Sequence, residues 1–170
     1  MMKILMPLLK PTNSNTSAAT KKKFFVALLI LGGLFIFVTR QINWVVTPSI
    51  DATLLRYTDA PFERGDYVTF TLFHELANKG QGIEVTKMLV CMAGDTLRID
   101  NGTEFFCNDE FIGSAYTYSP DIEQDLPVFD FQGVIPEDKG FVTGIHAKSF
   151  DSRNWGFITL SESKNNKVLL

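Results

Sequence analysis

The sequence predicts a mainly β protein, in which a coiled antiparallel β-sheet domain follows one N-terminal transmembrane helix. An uncharged apolar run at residues 24–38 predicts the helix. Beyond residue 47, short runs that alternate apolar and polar residues are separated by turn residues. No helical pattern of roughly 10 to 15 residues lies between these runs, so parallel βαβ units are not expected. The 15 phenylalanines, together with valine, isoleucine and threonine, also favour strands.

Residues 1–23 are predicted to form a flexible cytoplasmic tail, because they carry prolines and a polar run without an apolar period. Residues 24–46 are predicted to form a transmembrane signal-anchor. The uncharged part falls short of the ~20 residues a spanning helix needs. Residues 39–46 complete it, with Arg40 snorkelling to the interface and Trp44 in the aromatic belt. Lysines at positions 3, 10 and 21–23 outweigh Arg40, so the N-terminus is expected in the cytoplasm.

Two other structures would also explain an apolar run near the N-terminus. A cleaved secretory signal peptide needs small residues at a cleavage site after the run, and residues 39–44 do not supply them. A buried core helix is disfavoured by Gly32 and Gly33 and by the lysine triplet that precedes the run. The sequence therefore favours an uncleaved anchor.

Residues 47–170 are predicted to form one domain, because about 120 residues suffice for a core and no repeat or internal linker is visible. The Asp-Asn-Gly sequence at 100–102 is a strong hairpin signal between two of its strands. Loops rich in Pro, Asp and Gly are expected at 119–127 and 133–139. The predicted strands are 67–73, 84–92, 96–99, 104–107, 111–118, 128–131, 140–145 and 156–160.

Charge and composition exclude some functions. The formal net charge of -3 argues against a nucleic-acid partner, which would demand a basic surface. With 2 histidines a multi-histidine metal site is improbable, and the 2 cysteines lack metal-finger spacing, so no metal or cofactor is predicted. Cys91 and Cys107 lie in strands that flank one hairpin, so a disulfide is feasible in an oxidising compartment. Two free, half-buried thiols fit the sequence almost as well.

Three stretches carry the chemistry. Residues 149–156 read S-F-D-S-R-N-W-G, residues 87–95 read K-M-L-V-C-M-A-G-D, and residues 47–54 read T-P-S-I-D-A-T-L. In these stretches the chain resembles the type I signal peptidases, serine proteases with a Ser/Lys dyad. The family boxes read S-x-D-S-R-x-x-G, K-R-V-V-G-x-P-G-D and S-M-x-P-T-L. The resemblance covers about residues 46 to 160, and all three boxes stand in family order behind the apolar run.

The resemblance implies that Ser49 is the catalytic nucleophile and Lys87 its base. A serine hydroxyl attacks a peptide carbonyl only if a base takes its proton, and neither histidine stands in a recognisable triad context. A lysine serves as base only when neutral, so its pKa must fall well below about 10.4. Burial in apolar surroundings lowers it. Because side chains alternate on a strand, Lys87 is expected to share an apolar face with Val85, Leu89 and Cys91.

The resemblance also assigns supporting roles. Thr47 matches a hydroxyl that helps the Ser49 backbone N–H bind the oxyanion. Ser149 matches a hydroxyl that orients the lysine, and Asp151 and Arg153 match a buried ion pair behind the active site.

The departures from the family pattern point to one branch. Residues 144–153 read G-x-H-x-x-S-F-D-S-R, which resembles the TraF-type peptidases that mature pilin subunits in conjugative plasmids. Ala52 replaces the family proline of the serine box. Met88, Cys91 and Ala93 replace the arginine, glycine and proline of the lysine box. His146 could serve as a second base, but a histidine in a loop at this place is more often a surface or structural residue, and this role is expected here.

The resulting hypothesis is a single-pass serine endopeptidase of the cytoplasmic (inner) membrane. Its catalytic domain is expected on the periplasmic, extracytoplasmic side, where it removes leader peptides from exported, pilin-like precursor proteins. The expected partners are those precursors and the membrane. One alternative is a general type I signal peptidase. The other is a membrane-tethered β-domain with a decayed site that scaffolds pilus or secretion assembly.

Overall fold

The computed structural model describes residues 14–40, 42–44, 51 and 54–169. The N-terminal apolar helix is present as α1 (Ser14–Arg40), which belongs to one compact unit while the strands belong to another. Its segment Thr20–Arg40, with 21 residues and a mean hydropathy of 2.0, is long and apolar enough to cross a membrane. The helix begins at residue 14, inside the stretch predicted as a flexible tail, and residues 42–44, which were expected to complete the anchor, form a strand. The division into a cytoplasmic tail up to residue 23 and a membrane anchor up to residue 46 stays a prediction.

The second unit is built from antiparallel strands, as the sequence predicts. Its only described α-helix is the short α2 (Ser152–Trp155), between β11 and β12. The strands in chain order are β1 (Ile42–Trp44), β2 (Leu54–Thr58), β3 (Tyr67–Leu72), β4 (Ile83–Met92), β5 (Thr96–Asp100), β6 (Glu104–Cys107), β7 (Glu110–Ser114), β8 (Tyr118–Ser119), β9 (Gln124–Asp125), β10 (Gly133–Val134), β11 (Lys139–Thr143), β12 (Ile158–Thr159) and β13 (Lys164–Val168).

The strands form a large sheet, a small sheet and a separate hairpin. The large sheet has the order β1-β2-β13-β3-β4-β11-β12, and the small sheet has the order β10-β5-β6-β7. β8 and β9 pair with each other. The small sheet is inserted between β4 and β11, which are neighbours in the large sheet.

The local turn chemistry predicted from the sequence is confirmed at the β5–β6 hairpin. Asn101 and Gly102 both adopt a positive φ, at 51° and 75°. Thr103 N–H donates to the Asp100 carbonyl at 3.1 Å, which closes the turn. A two-residue turn with positive φ suits the twist of a hairpin, and asparagine and glycine tolerate it best.

The strand predicted at 128–131 is wrong. These residues form no strand; instead the rings of Phe129 and Phe131 pack edge-to-face on Phe157, at 5.1 and 4.9 Å. The apolar alternation reflects an aromatic cluster under a loop, which period two alone does not distinguish from a ladder.

Strand β13 is not predicted from the sequence, because it reads K-N-N-K-V and has no alternation of apolar and polar residues. It nevertheless lies inside the large sheet, between β2 and β3. Asn165 and Asn166 are 3% and 1% exposed, and their amide groups find hydrogen-bond acceptors. Asn165 Nδ2, for example, donates to Asp66 Oδ2 at 3.0 Å. These hydrogen bonds compensate the desolvation of the amide N–H groups, whereas the Oδ1 atoms of both asparagines are buried without a partner among the described residues.

Two hydrophobic clusters fill the second unit. One lies on the large sheet and includes Val68, Leu89 and Val142. The other joins the two sheets and includes Phe105 and Phe141, whose rings stack at 5.5 Å. A disulfide between Cys91 on β4 and Cys107 on β6 crosses this second cluster. Of the two alternatives left open by the sequence, the structure has the disulfide.

The disulfide should contribute measurably to stability. It closes a loop of sequence separation 16, for which loop entropy predicts about 3 kcal/mol. We expect the double variant Cys91→Ala/Cys107→Ala to lose free energy of unfolding by about this amount in denaturant titrations of the full chain in detergent. Reductant should lower the free energy of unfolding of the wild type towards that of the variant and leave the value of the variant unchanged. A wild type that is indifferent to reductant would contradict the prediction.

Candidate active site

Lys87 projects from β4 onto the buried face of the large sheet. It pairs across the strands with Val68, and Leu89 and Cys91 are buried on the same alternation, as predicted. Lys87 itself is 7% exposed. Burial lowers its pKa by disfavouring the charged ammonium; the negative charge of Asp151 opposes this shift and the positive charge of Arg153 reinforces it. The arrangement therefore favours a neutral amine.

The lysine amine contacts Ser149, which comes from the loop before α2. Lys87 Nζ donates a hydrogen bond to Ser149 Oγ at 2.8 Å. Ser149 is itself buried, and its backbone N–H donates to the His146 carbonyl at 2.9 Å. The predicted proximity of Lys87 and Ser149, far apart in sequence, is thus present in the structure.

Gly144 is a site residue to which the sequence analysis gave no role. A Cβ atom at this position would lie 2.3 Å from Ser149 Oγ and 3.2 Å from Lys87 Nζ. Its backbone N–H also donates to Asp151 Oδ2 at 2.9 Å. The absence of a side chain therefore allows the backbone to approach the lysine–serine pair. The glycine that opens the 144–153 stretch was the available signal.

Asp151 and Arg153 form a buried bidentate pair. Arg153 Nε donates to Asp151 Oδ1 at 2.8 Å and Arg153 Nη2 donates to Oδ2 at 2.6 Å. Asp151 is 0% exposed and Arg153 is 4% exposed. Asp151 also caps α2, because its side chain accepts from the Arg153 backbone N–H in a capping box with Asn154. One carboxylate thus satisfies the helix start, the guanidinium and the Gly144 N–H.

The same helix connects the site to the segments around the small sheet. Arg153 Nη1 donates to the carbonyl of Ser114, at the end of β7, at 2.9 Å. Gly113 makes room for this contact: its φ is +117°, and a Cβ there would lie 2.5 Å from Arg153 Nη1. Asn154 Nδ2 donates to the carbonyls of Tyr116 and Pro127 at 2.8 and 2.9 Å. α2 therefore anchors both ends of the 116–127 segment.

The two histidines occupy different settings. His146 is exposed, and its Nδ1 accepts from the Lys148 backbone N–H at 3.1 Å. His74 lies in the β3–β4 loop, where its Nδ1 accepts from Leu76 N–H at 3.1 Å. Its ring contacts Phe150 edge-to-face at 5.0 Å. Both Nδ1 atoms are thus engaged with backbone N–H groups.

Ser49 and Thr47 lie outside the described residues. The roles of Ser49 as nucleophile and Thr47 as oxyanion donor stay predictions from the motif. Among the described residues, Cys91, Asp95 and Cys107 lie close enough to share a metal ion. Because the two sulfur atoms are bonded to each other, they cannot act as thiolate ligands.

Comparison with known proteins places the chain in a family. The model of the signal peptidase family, peptidase S26, matches residues 18–168, and the chain belongs to this family. It is therefore a signal-peptidase-like serine endopeptidase, whose family acts on exported precursor proteins. Its fold is similar to the crystal structure of a signal peptidase I from Enterococcus faecalis V583, with 23% identity, 66% of this chain and 100% of that chain covered, and a TM-score of 0.42. No curated protein matches the sequence significantly.

The buried ion pair provides a direct test of the site. Arg153→Ala would strand the Asp151 carboxylate out of water, so we expect the free energy of unfolding to fall by about 3–5 kcal/mol. Arg98→Ala is the matched control, because Arg98 pairs with Asp100 and Asp109 with its side chain 37% exposed. Its loss of stability should be small by comparison, because solvent screens an exposed ion pair. If thermal and denaturant unfolding gave equally small losses of stability for Arg153→Ala and Arg98→Ala, the result would contradict a buried Asp151–Arg153 pair.

Proposed function

We propose that the chain is a membrane-anchored serine endopeptidase in which Ser49 is the nucleophile and Lys87 the general base. The observation that carries the proposal is the buried Lys87 amine, hydrogen-bonded to Ser149 and held at a lowered pKa by burial. A neutral amine inside an apolar face can accept a proton at working pH, which an ordinary exposed lysine cannot. Family membership and the serine box at 47–54 support the choice of Ser49 as the nucleophile.

The reaction follows from this pair. Ser49 Oγ attacks the scissile carbonyl carbon while Lys87 takes the hydroxyl proton. The backbone N–H of Ser49 and the hydroxyl of Thr47 stabilise the tetrahedral oxyanion, a contribution typically of ~10²–10³ in kcat per donor. The C–N bond then breaks, Lys87 returns the proton to the leaving amine, and an ester remains on Ser49. Water, deprotonated by Lys87, hydrolyses this ester and restores the serine.

The remaining residues position the base. Ser149 directs the Lys87 amine, and Asp151 and Arg153 hold the loop that carries Ser149. Burial is the largest cause of the lowered pKa of Lys87; Asp151 acts against it by raising that pKa, and Arg153 acts with it by lowering that pKa.

The location of the catalytic domain is proposed to be extracytoplasmic. The lysines ahead of the apolar segment favour a cytoplasmic N-terminus. The Cys91–Cys107 disulfide supports the same topology independently, because such bonds persist in oxidising compartments and are rare in the cytosol. The periplasmic face of the inner membrane is also where leader peptides of exported precursors become accessible.

Within the family we propose a TraF-type role, the maturation of pilin precursors in conjugative transfer. The support is the compact 144–153 stretch with its S-F-D-S-R sequence. A general signal peptidase would use the same chemistry and differ in its substrates. Water resolves the ester on Ser49 in either case; in a TraF-type role an amine of the substrate itself is the alternative, and it would cyclise the pilin.

Substitution of the dyad tests the mechanism. Ser49→Ala and Lys87→Ala should each abolish cleavage of a pilin precursor, which is monitored by mass spectrometry. The double variant should have no lower activity than either single variant. Lys87→Arg should also be inactive, because a guanidinium does not deprotonate at working pH. Wild-type activity should rise as pH increases through the lowered pKa of Lys87, since only the neutral amine is a base.

The matched control is His146→Ala, which removes an exposed histidine from the loop that carries Ser149. This variant should retain substantial activity. Cleavage by Lys87→Arg, or loss of activity in His146→Ala as complete as in Ser49→Ala, would overturn the Ser/Lys assignment. Precursors with general signal peptides, assayed in parallel with pilin precursors, distinguish the two substrate classes.

The topology makes a separate prediction. Alkaline phosphatase fused to the C-terminus should be active, because this reporter requires the oxidising periplasm. A fluorescent reporter that needs the cytoplasm should stay dark at the same position. The reverse pattern would place the domain on the cytoplasmic side and refute the proposed location.

A further inference from the structure

A groove runs beside the candidate active site, between the β3–β4 loop and the β8–β9 hairpin. It consists of two cavities, of about 320 and 520 Å³, which share Leu76 and Ile122. We call these adjoining cavities the side groove. The smaller cavity is lined by Leu76, Tyr116, Ser119, Pro120, Asp121, Ile122, Leu126, Lys148 and Phe150. The larger is lined by Glu75, Leu76, Asn78, Lys79, Gln81, Ile122 and Gln124.

The inner end of the side groove borders the active site. Lys148 and Phe150, which line the smaller cavity, are the sequence neighbours of Ser149, the residue that accepts the hydrogen bond of Lys87. The smaller cavity therefore lies against the loop that carries Ser149, within reach of an extended polypeptide bound at the lysine–serine pair.

Both walls of the side groove are attached to residues of the site. On one side, Asn154 holds the carbonyls of Tyr116 and Pro127, so the loop that carries the β8–β9 hairpin is fixed at both ends. On the other side, the β3–β4 loop packs its His74 ring against Phe150. The position of the groove relative to Ser149 is therefore set by the same helix and loop that position the base.

The lining has the chemistry of a polypeptide-binding surface. The smaller cavity offers apolar contacts from Leu126 and Phe150, and Ile122 stands 49% exposed at the junction of the two cavities. The rim carries charges of both signs, Lys148 with Asp121 in the smaller cavity, and Lys79 with Glu75 in the larger. Mixed charges do not suit a polyanion or an anionic headgroup, whereas an extended peptide with an apolar side chain matches this pattern.

We propose that the side groove is a substrate subsite. It binds the polypeptide beside the scissile bond and takes one apolar side chain in the smaller cavity, against Ile122. The inference rests on the proposed peptidase function and adds a determinant of specificity to it. Remote binding of this kind orients a substrate at the reacting centre.

The first test fills the junction of the two cavities. Ile122→Trp should raise KM for a precursor about tenfold, because the larger ring occupies the space of the substrate side chain. The matched control is Val134→Trp, at another exposed apolar position, 63% exposed on β10 and outside the lining of the groove. It should match the wild type. If the wild type cleaves the precursor and both variants have the same KM, the subsite is refuted while the peptidase function stands.

The second test does not depend on cleavage. A benzoylphenylalanine at position 122, in the full chain with Ser49→Ala, should crosslink to the precursor within a few residues of its cleavage point when irradiated in proteoliposomes. The same photoreactive residue at position 134 should give no such product. Crosslinks at position 122 to lipid alone, or to precursor residues remote from the cleavage point, would overturn the proposal even if the wild type proved inactive.

Discussion

The arrangement of the site depends on the Asp151 carboxylate and the groups that gather around it. This carboxylate is fully removed from water, yet it accepts hydrogen bonds from the Arg153 guanidinium, the Arg153 backbone and the Gly144 backbone. A buried charge without such partners would cost several kcal/mol. The requirement to satisfy it forces β11's end, the loop before α2 and the helix itself into one arrangement.

That arrangement determines the surroundings of the Lys87 amine and thereby influences its pKa. Gly144 and Ser149 are held where the lysine amine meets a hydroxyl and no Cβ intervenes. An unpaired Asp151 would favour the ammonium form, because its charge raises the pKa of Lys87. Arg153 opposes that effect, so burial is left to lower the pKa. The ion pair therefore holds the surroundings of Lys87 in place, and its guanidinium acts against the effect of its carboxylate on the lysine pKa.

The small sheet is connected to this centre twice. The Cys91–Cys107 disulfide ties β6 to β4, the strand that carries Lys87. On the other side, Arg153 binds the end of β7 through the Ser114 carbonyl, and a left-handed glycine, Gly113, gives it access. The inserted sheet is thus held by a covalent bond and by polar contacts that converge on the lysine. The side groove lies along the segments that these connections orient.

The sequence by itself determined the features that depend on neighbouring residues. The apolar run predicted α1, and the alternation of apolar and polar residues predicted strands β3 to β6. The Asp-Asn-Gly turn predicted the hairpin between β5 and β6. These predictions succeed because helix, strand and turn preferences act over a few residues. The motif boxes indicated Lys87, Ser149 and the Asp151–Arg153 pair. They also indicated Ser49 and Thr47, whose placement lies outside the described residues.

Only the tertiary structure decided how distant segments pack around the site. The motif resemblance already pairs Lys87 with Ser149, 62 residues away, but the role of Gly144 is visible only where their side chains converge on it. The polar strand β13 is stabilised by amide hydrogen bonds to other segments, and the aromatic stretch 128–131 packs as a loop instead of a ladder. The physical reason is that hydrogen bonds and packing between remote segments can override local preference once water is excluded.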